Sequence, residues 1–261
     1  MANVWITGAS SGIGEACAHL YAQRGDRLVL TSSSREKLEK VAKACFEMGS
    51  PEVSILPCDL ADPSAVDGLA NSAWDALGKL DIVFLNAGIS QRTTVEDTSM
   101  KMIRKIMQVD YFAPVAIAKA ILPKMTEAGG GHIAVTTSIA GRFGFPLRCG
   151  YSSAKFALYG FFETLQAECF SKGIKVTLVC PGRVKTNISF YALDKGGKQH
   201  GKLDPGQAGG LDANKAARKI VRAIDRGRRE VLVGRKELIM VYIKRFFPGL
   251  CARLARRINP V

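Results

Sequence analysis

Asn3-Val-Trp-Ile-Thr7-Gly8-Ala-Ser-Ser-Gly12-Ile-Gly14 is the stretch on which the fold is decided. Five residues rich in β-branched and aromatic side chains read as a strand. A glycine-rich turn comes next, and a helical pattern runs on to about Gly25. Glycines spaced as Gly8, Gly12 and Gly14 permit a tight turn and a close approach of backbone to a pyrophosphate, with the helix N-terminus aimed at the phosphates. A plain glycine-rich loop is the competing reading of the motif in isolation. Its place between a first strand and a first helix argues for the phosphate cradle, lined by Gly8, Ser10, Ser11, Gly12, Ile13 and Gly14.

The same alternation continues outward. Arg27-Leu-Val-Leu-Thr31 reads as a second strand and Arg35 to about Met48 as a second helix. Glu52-Val-Ser-Ile-Leu56 is a third strand, and Asp62-Pro63 is an N-cap and first-turn proline that starts another helix. Further strands are expected at Asp81–Leu85, Gly131–Thr136, Lys175–Val179 and Arg229–Gly234. Repeated βα units of this length predict an α/β fold. It is a single-domain, doubly wound parallel sheet of about seven strands, with helices on both faces and right-handed crossovers.

Bulk properties narrow the function classes. The 261 residues, 47% hydrophobic and 23% charged, suffice for a full core. Seven scattered cysteines without a C-x-x-C pair disfavour a disulfide framework or a zinc site and favour a reducing compartment. His19, His132 and His200 are too dispersed for a metal centre, so none is expected. The opening Met1-Ala-Asn-Val-Trp5 enters a strand pattern directly, so no signal peptide is expected. No uninterrupted apolar run reaches the ~18 residues of a membrane span; the expected location is the cytoplasm, with membrane association as the alternative. The net charge of +14 is concentrated: residues 215–261 carry 14 Lys/Arg against 3 Asp/Glu, residues 1–214 only 23 against 20. A basic tail on a near-neutral body argues against a nucleic-acid groove in the domain.

The residues just past each strand carry the chemistry. After the second comes Thr31-Ser32-Ser33-Ser34-Arg35, with hydroxyls and a guanidinium but no carboxylate. Ser32, Ser33 and Arg35 therefore suit the 2′-phosphate of NADP in preference to the 2′-hydroxyl of NAD. Ser34 as a helix N-cap with Arg35 in solvent is the plainer alternative. Asp59 and Leu60 after the third strand are placed to meet adenine, or begin a turn. Asn86-Ala87-Gly88 ends the fourth strand at the edge where such sheets bind ligands. Pro181-Gly182, with Val184 and Thr186, does so after the sixth. Tyr151 and Lys155, four apart on a helix, share one face. A fixed ammonium beside a phenol favours the phenolate, which suits proton exchange with an alcohol or carbonyl oxygen. Ser138, thirteen residues upstream, is placed to hold the same oxygen by a hydrogen bond.

The joint set of T-G-A-S-S-G-I-G at 7–14, Asp59, N-A-G at 86–88, Ser138, Y-S-S-A-K at 151–155 and P-G at 181–182 resembles the short-chain dehydrogenase/reductase family over roughly residues 3–234. G-I-S-Q-R at 88–92 and P-G-R-V-K-T-N-I at 181–188 look most like its microsomal retinal/steroid-type branch. The resemblance implies a Rossmann-like fold and an NAD(P)-dependent oxidoreductase acting on a carbonyl/alcohol pair. Tyr151 would be the acid/base and Ser138 the orienting hydroxyl. Lys155 would bind the nicotinamide ribose and favour the Tyr151 phenolate. It also implies a homodimer or homotetramer, consistent with Leu158, Phe161, Phe162 and Leu165 on the Tyr151 helix, which otherwise read as core.

One position departs from the family pattern. Asp110 stands where the family usually has an asparagine whose backbone carbonyl holds a water linked to the catalytic lysine. Ile103, Ile106, Met107 and Asp110 share an apolar helical face, so Asp110 is expected to point inward. Pro114 lacks the N–H that would otherwise bond the Asp110 carbonyl. The backbone relay is expected to survive, with the carboxylate adding negative charge near Lys155. A simple pairing with a nearby base is the alternative.

Residues 187–212, polar and Gly-rich, are expected to form a lid over the substrate; a disordered insertion is the competing reading. Phe143, Phe145, Pro146 and Leu147 suggest an apolar pocket, with Cys149 a pocket residue or a small filler. Residues 1–235 would thus form the dinucleotide-binding and catalytic domain. Residues 236–261 would form a basic amphipathic extension that covers the pocket or rests on a membrane. A nucleotide-binding sensor without turnover is the second functional class, with Asp110 its only support.

Overall fold

The computed structural model describes residues 1–258. Seven strands form one parallel sheet in the order β3-β2-β1-β4-β5-β6-β7. In chain order these are β1 Asn3–Thr7, β2 Arg27–Ser32, β3 Val53–Pro57, β4 Ile82–Leu85, β5 Gly131–Thr136, β6 Ile174–Pro181 and β7 Glu230–Val233. Every expected strand is present, within one or two residues of its expected bounds. The helices are α1 Gly12–Gln23, α2 Arg35–Glu47, α3 Pro63–Val66, α4 Leu69–Leu77, α5 Met100–Met107, α6 Ala113–Glu127, α7 Cys149–Glu168, α8 Pro205–Ala208, α9 Ala213–Asp225, α10 Ile239–Phe246 and α11 Pro248–Ala255.

Alternating strand residues feed two separate cores. Trp5 and Val29 join α4, α6 and α7 on one face of the sheet. Val4, Ile6, Leu28 and Leu30 join α1, α2 and α9 on the other. The chain direction across the sheet reverses between β1 and β4, and at such a switch point the strand ends leave a crevice for a ligand.

Two helices differ from expectation. The helix begun by Asp62-Pro63 is broken after one turn: Asp62 caps it by accepting from the Ser64 N–H, and Gly68 then adopts φ +77° before α4 starts. That left-handed φ is what favours glycine, and crowding plays no part, since no atom lies within 4 Å of the site a Cβ would take. The helix expected through Asp110 is wound wide over Gln108–Phe112, as a π-turn between α5 and α6. Pro114, at the start of α6, removes one α-type donor there. Inserted π-turns of this kind are frequent at functional sites. The run Met100–Glu127 is long and apolar enough to cross a membrane by length and composition. Here Ile117, Ala118, Ile121 and Met125 place it in the core against the sheet.

Residues 187–212 are folded onto the body rather than loose. Leu193 exchanges backbone hydrogen bonds with the 90–92 segment, its N–H to Ser90 and its carbonyl from Arg92, both at 2.8 Å. Ser189 and Ala192 are buried. The extension beyond residue 235 forms α10 and α11; its last residues, 259–261, lie outside the described range.

Candidate active site

The strand ends open into one cleft of about 1190 Å³. Asn86 builds its floor. Its N–H donates to Thr7 Oγ1 at 3.0 Å, its Nδ2 to the Thr7 carbonyl at 3.2 Å, and its Oδ1 accepts from Thr136 Oγ1 at 3.1 Å. One side chain therefore ties the ends of β1, β4 and β5 together. Beside it, a Cβ on Gly8 (φ +66°) would stand 2.8 Å from Ala87 Cα, and one on Gly14 would overlap the Gly8 carbonyl. Ser11 takes the N-cap position of α1 without bonding any of that helix's amides through its side chain. The first amides of α1 are thereby left for an acceptor from outside, which is what a pyrophosphate supplies. Shape and donors fit a dinucleotide.

Most expected cofactor residues line this cleft: Gly8, Ser10, Ser11, Gly12, Ile13, Ser32, Ser33, Asp59, Leu60, Asn86, Ala87, Gly88, Pro181, Gly182, Val184 and Thr186. Gly14 lies behind the turn and shapes it. Arg35 does not line the cleft. It is largely exposed and pairs loosely with Glu39 one turn on, at 3.7 Å, while Ser34 caps α2 by accepting from the Lys37 N–H. The cation of α2 that does line the cleft is Lys37, whose Nζ stands 5.1 Å from the Tyr191 ring centre. The two positions are two residues apart, about 200° around the helix and so on opposite faces, and sequence alone offers no means of choosing the inward one.

Ser138, Tyr151 and Lys155 meet in the same cleft. Ser138, two residues past β5, is extended and caps a short turn by accepting from the Ala140 N–H at 3.1 Å. Its own proton reaches only a distant Pro181 carbonyl at 3.5 Å, so the hydroxyl retains a hydrogen bond to offer. Lys155 is buried. Its Nζ donates to the Thr136 carbonyl at 2.9 Å and pairs with Asp110 Oδ2 at 3.1 Å, lying 5.6 Å from the Tyr151 ring centre. The carbonyl takes one ammonium proton and the carboxylate balances the charge without an aligned hydrogen bond, so donor capacity remains.

Asp110 is fully buried, as its helical face predicts. Oδ1 accepts from the Ile89 N–H at 2.8 Å; Oδ2 has only the ion pair with Lys155, without an aligned hydrogen bond. Burial pushes its carboxyl above the ordinary range, opposed by the Lys155 charge and the Ile89 N–H. Gly88 makes room for the pair: a Cβ there would come 2.9 Å from Asp110 Oδ2.

The substrate end is shaped by residues from segments 90–97, 141–149 and 187–212, where substrate choice is expected to reside, though sequence singles out none of them individually. Gln91 is fully buried and stands in for a capping side chain on α7. Its Oε1 accepts from the Gly150 and Tyr151 N–H groups at 2.9 and 3.2 Å, and its Nε2 donates to Thr98 Oγ1 at 3.0 Å. The Arg92 and Asp204 side chains, 2% and 4% exposed, form a forked pair closing to 2.6 Å, and Arg148 reaches the same carboxylate at 3.0 Å. Burial and the neighbouring Arg92 charge bring the Arg148 guanidinium down to about 10, leaving it cationic at neutral pH. Asp204-Pro205 has the same cap-and-proline form as Asp62-Pro63. The Asp204 carboxylate, however, is drawn to the arginines instead of capping α8.

The apolar candidates divide. Phe145 lines the cleft, Phe143 is buried behind it against Cys251, and Pro146 and Cys149 line a separate groove. Leu147 holds φ +60°, a left-handed conformation that costs a branched residue about 1 kcal/mol. Leu158, Phe162 and Leu165 are core residues, with Phe161 packed partly buried against them. All seven cysteines are free, and among the described residues no cluster of His, Cys, Asp or Glu is placed to hold a metal.

With this fold and cleft, the chain belongs to the short-chain dehydrogenases, a family of nicotinamide-dependent oxidoreductases; the family model matches residues 2–195. It is 36% identical over 255 residues to dehydrogenase/reductase SDR family member 7B of Mus musculus, covering 96% of this chain and 79% of that one. The Xenopus tropicalis protein of the same name is 38% identical over 255 residues, covering 95% and 82%. Among solved structures, a short-chain dehydrogenase/reductase from Burkholderia phymatum in complex with NAD superposes with TM-score 0.84 at 23% identity, over 100% of this chain and 96% of that one. An alcohol dehydrogenase from Thermococcus sibiricus complexed with 5-hydroxy-NADP gives 0.76 at 27% identity, over 90% and 96%.

Proposed function

We propose that the protein is an NADP-dependent oxidoreductase acting on a lipophilic carbonyl/alcohol pair, with Tyr151 as the acid/base. The observation that carries this reading is the convergence of Ser138, Tyr151 and Lys155 on a cleft whose other end is the glycine cradle of α1. Bound there, the nicotinamide would exchange a hydride with the carbonyl carbon. In the reducing direction the Ser138 hydroxyl holds the substrate oxygen and the Tyr151 phenol gives it a proton. The Lys155 ammonium stabilises the phenolate left behind. Oxidation of the alcohol runs the proton back to Tyr151. Ser32, Ser33, Ser34 and Lys37 on the cleft wall support NADP over NAD, since they offer hydroxyls and a cation to a 2′-phosphate. Phe145, Ile188 and Leu193 give the substrate end an apolar wall, with residues 187–212 as its lid. The assembly is a homodimer or homotetramer, for which Phe112 and Phe156 are exposed apolar contacts, and the setting is the cytoplasm or its membrane surfaces.

The test is turnover of NADPH against NADH with a panel of apolar ketones, aldehydes and quinones. NADPH is expected to be preferred, and Lys37→Ala to remove the preference. Tyr151→Phe is expected to lower kcat by about 10³-fold while NADPH binding stays intact. The second reading, a non-catalytic NADP(H) sensor or scaffold, rests on the Asp110 carboxylate against Lys155. Tight NADPH binding with no turnover across the panel would select it.

A further inference from the structure

We propose that α10 and α11 form a docking face for an anionic lipid bilayer. The two helices are fixed on the body by one side only. Met240, Val241, Ile243 and Cys251 pack with Ile139, Phe143 and Phe145 beside the cleft. The other side carries Ile239, Tyr242, Phe246, Phe247 and Leu250, with Phe246 and Phe247 65% and 63% exposed. Ile239, Tyr242 and Phe246 stand at i, i+3 and i+7, so they form one stripe along α10. Around them Arg235, Lys236, Lys244, Arg245, Arg253, Arg256 and Arg257 are all exposed, and among the described residues none of the seven enters an ion pair. The single carboxylate in this stretch, Glu237, is turned inward, accepting from the Arg183 and Arg235 N–H groups at 2.8 and 3.1 Å.

Unpaired cations surrounding protruding aromatic rings exclude most other occupants. A second copy would bring like charges together around the apolar stripe. A bilayer interface offers both complements at once: anionic headgroups for the cations and, a few ångströms deeper, acyl chains for the rings. A separate groove of about 660 Å³ runs between the end of α11 and the start of α7. Its walls include Val95, Phe145, Phe156, Ala255 and Arg256, and Phe145 is shared with the main cleft.

The experiment is co-sedimentation of the full chain with vesicles of phosphatidylcholine alone and of phosphatidylcholine mixed with phosphatidylserine, at low and high salt. Binding is expected at least ~10-fold stronger to the mixed vesicles and weakened by salt. Phe246→Ser with Phe247→Ser, and separately Lys244→Glu with Arg245→Glu, should each reduce it by about tenfold or more. Equal binding to both vesicle types, or undiminished binding by either variant, overturns the proposal. So does a fall in assembly size in the phenylalanine variant without any vesicle binding by the parent, which would assign the face to copy–copy contact. NADPH affinity serves as the folding control, since none of the four residues touches the cleft. The readout needs no turnover, so failure of the reductase reading would leave it standing.

Discussion

Asp110 presents the sharpest question at the scale of single residues. A carboxylate 3.1 Å from the Lys155 ammonium, with neither side chain open to water, sets two opposing effects against each other. The pair keeps Lys155 from being an isolated buried charge, which would cost several kcal/mol. It also sets negative charge against the ammonium that, in the proposed reaction, stabilises a phenolate on Tyr151, whose ring centre lies 5.6 Å from it. Asp110→Asn keeps an acceptor for the Ile89 N–H and removes that negative charge. The alkaline limb of the pH–rate profile is expected to move to lower pH, with kcat changed by less than about tenfold. Asp110→Ala removes the acceptor as well and is expected to destabilise the fold by about 3–5 kcal/mol, read from denaturant midpoints. An Asn variant with unaltered rate and profile would reduce Asp110 to a structural partner of Lys155.

Elements translate such contacts into geometry. Tyr151 stands in the first turn of α7, and its backbone N–H is held by Gln91 from another segment, so the position of the phenol depends on the 90–92 stretch. That stretch also anchors residues 187–212, the proposed lid, through Arg92 and Asp204. A guanidinium pair around one buried carboxylate tolerates loss of the carboxylate poorly. Asp204→Asn is expected to raise KM by about tenfold or more with a smaller change in kcat, and to speed proteolytic cleavage within residues 187–212. Unchanged KM and unchanged protease resistance would show that the lid is held by other contacts. None of this is legible in the sequence, because a latch joining residues 92, 148 and 204 has no local signature. The local signals are legible: strand bounds, the glycine turn, the Ser34 cap and the inward face of Asp110. Arg35 illustrates the limit. A cation next to the expected phosphate position can be read from the sequence, but the helix phase that sends Lys37 inward depends on packing of α2 against β2 and β3.

Across the whole molecule, function and pH-sensitive stability sit at opposite ends of the sheet. The cleft occupies the carboxyl ends of the strands, whereas His132 stands near the amino end of β5, paired in register with Ile82 and Lys175. Its Nε2 lies 2.8 Å from Thr177 Oγ1, whose proton goes to the Arg228 carbonyl, so the ring is held as the neutral Nε2–H tautomer. Burial, with Lys175 adding to it and Asp225 opposing, brings His132 down from 6.5 to about 4. A histidine depressed on folding takes up its proton more readily in the unfolded chain. Its contribution is therefore complete above about pH 6.5 and is lost as pH falls toward 4. About 3 kcal/mol is at stake over that window. His132→Gln keeps an amide donor for Thr177 without a titrating ring. Urea midpoints of the variant are expected to decline less between pH 6.5 and 4 than those of the parent, carboxylates contributing equally to both. NADPH binding at neutral pH should be unaltered, because no cleft residue touches this end of β5. Parallel declines in the two proteins would remove His132 as the source of acid sensitivity.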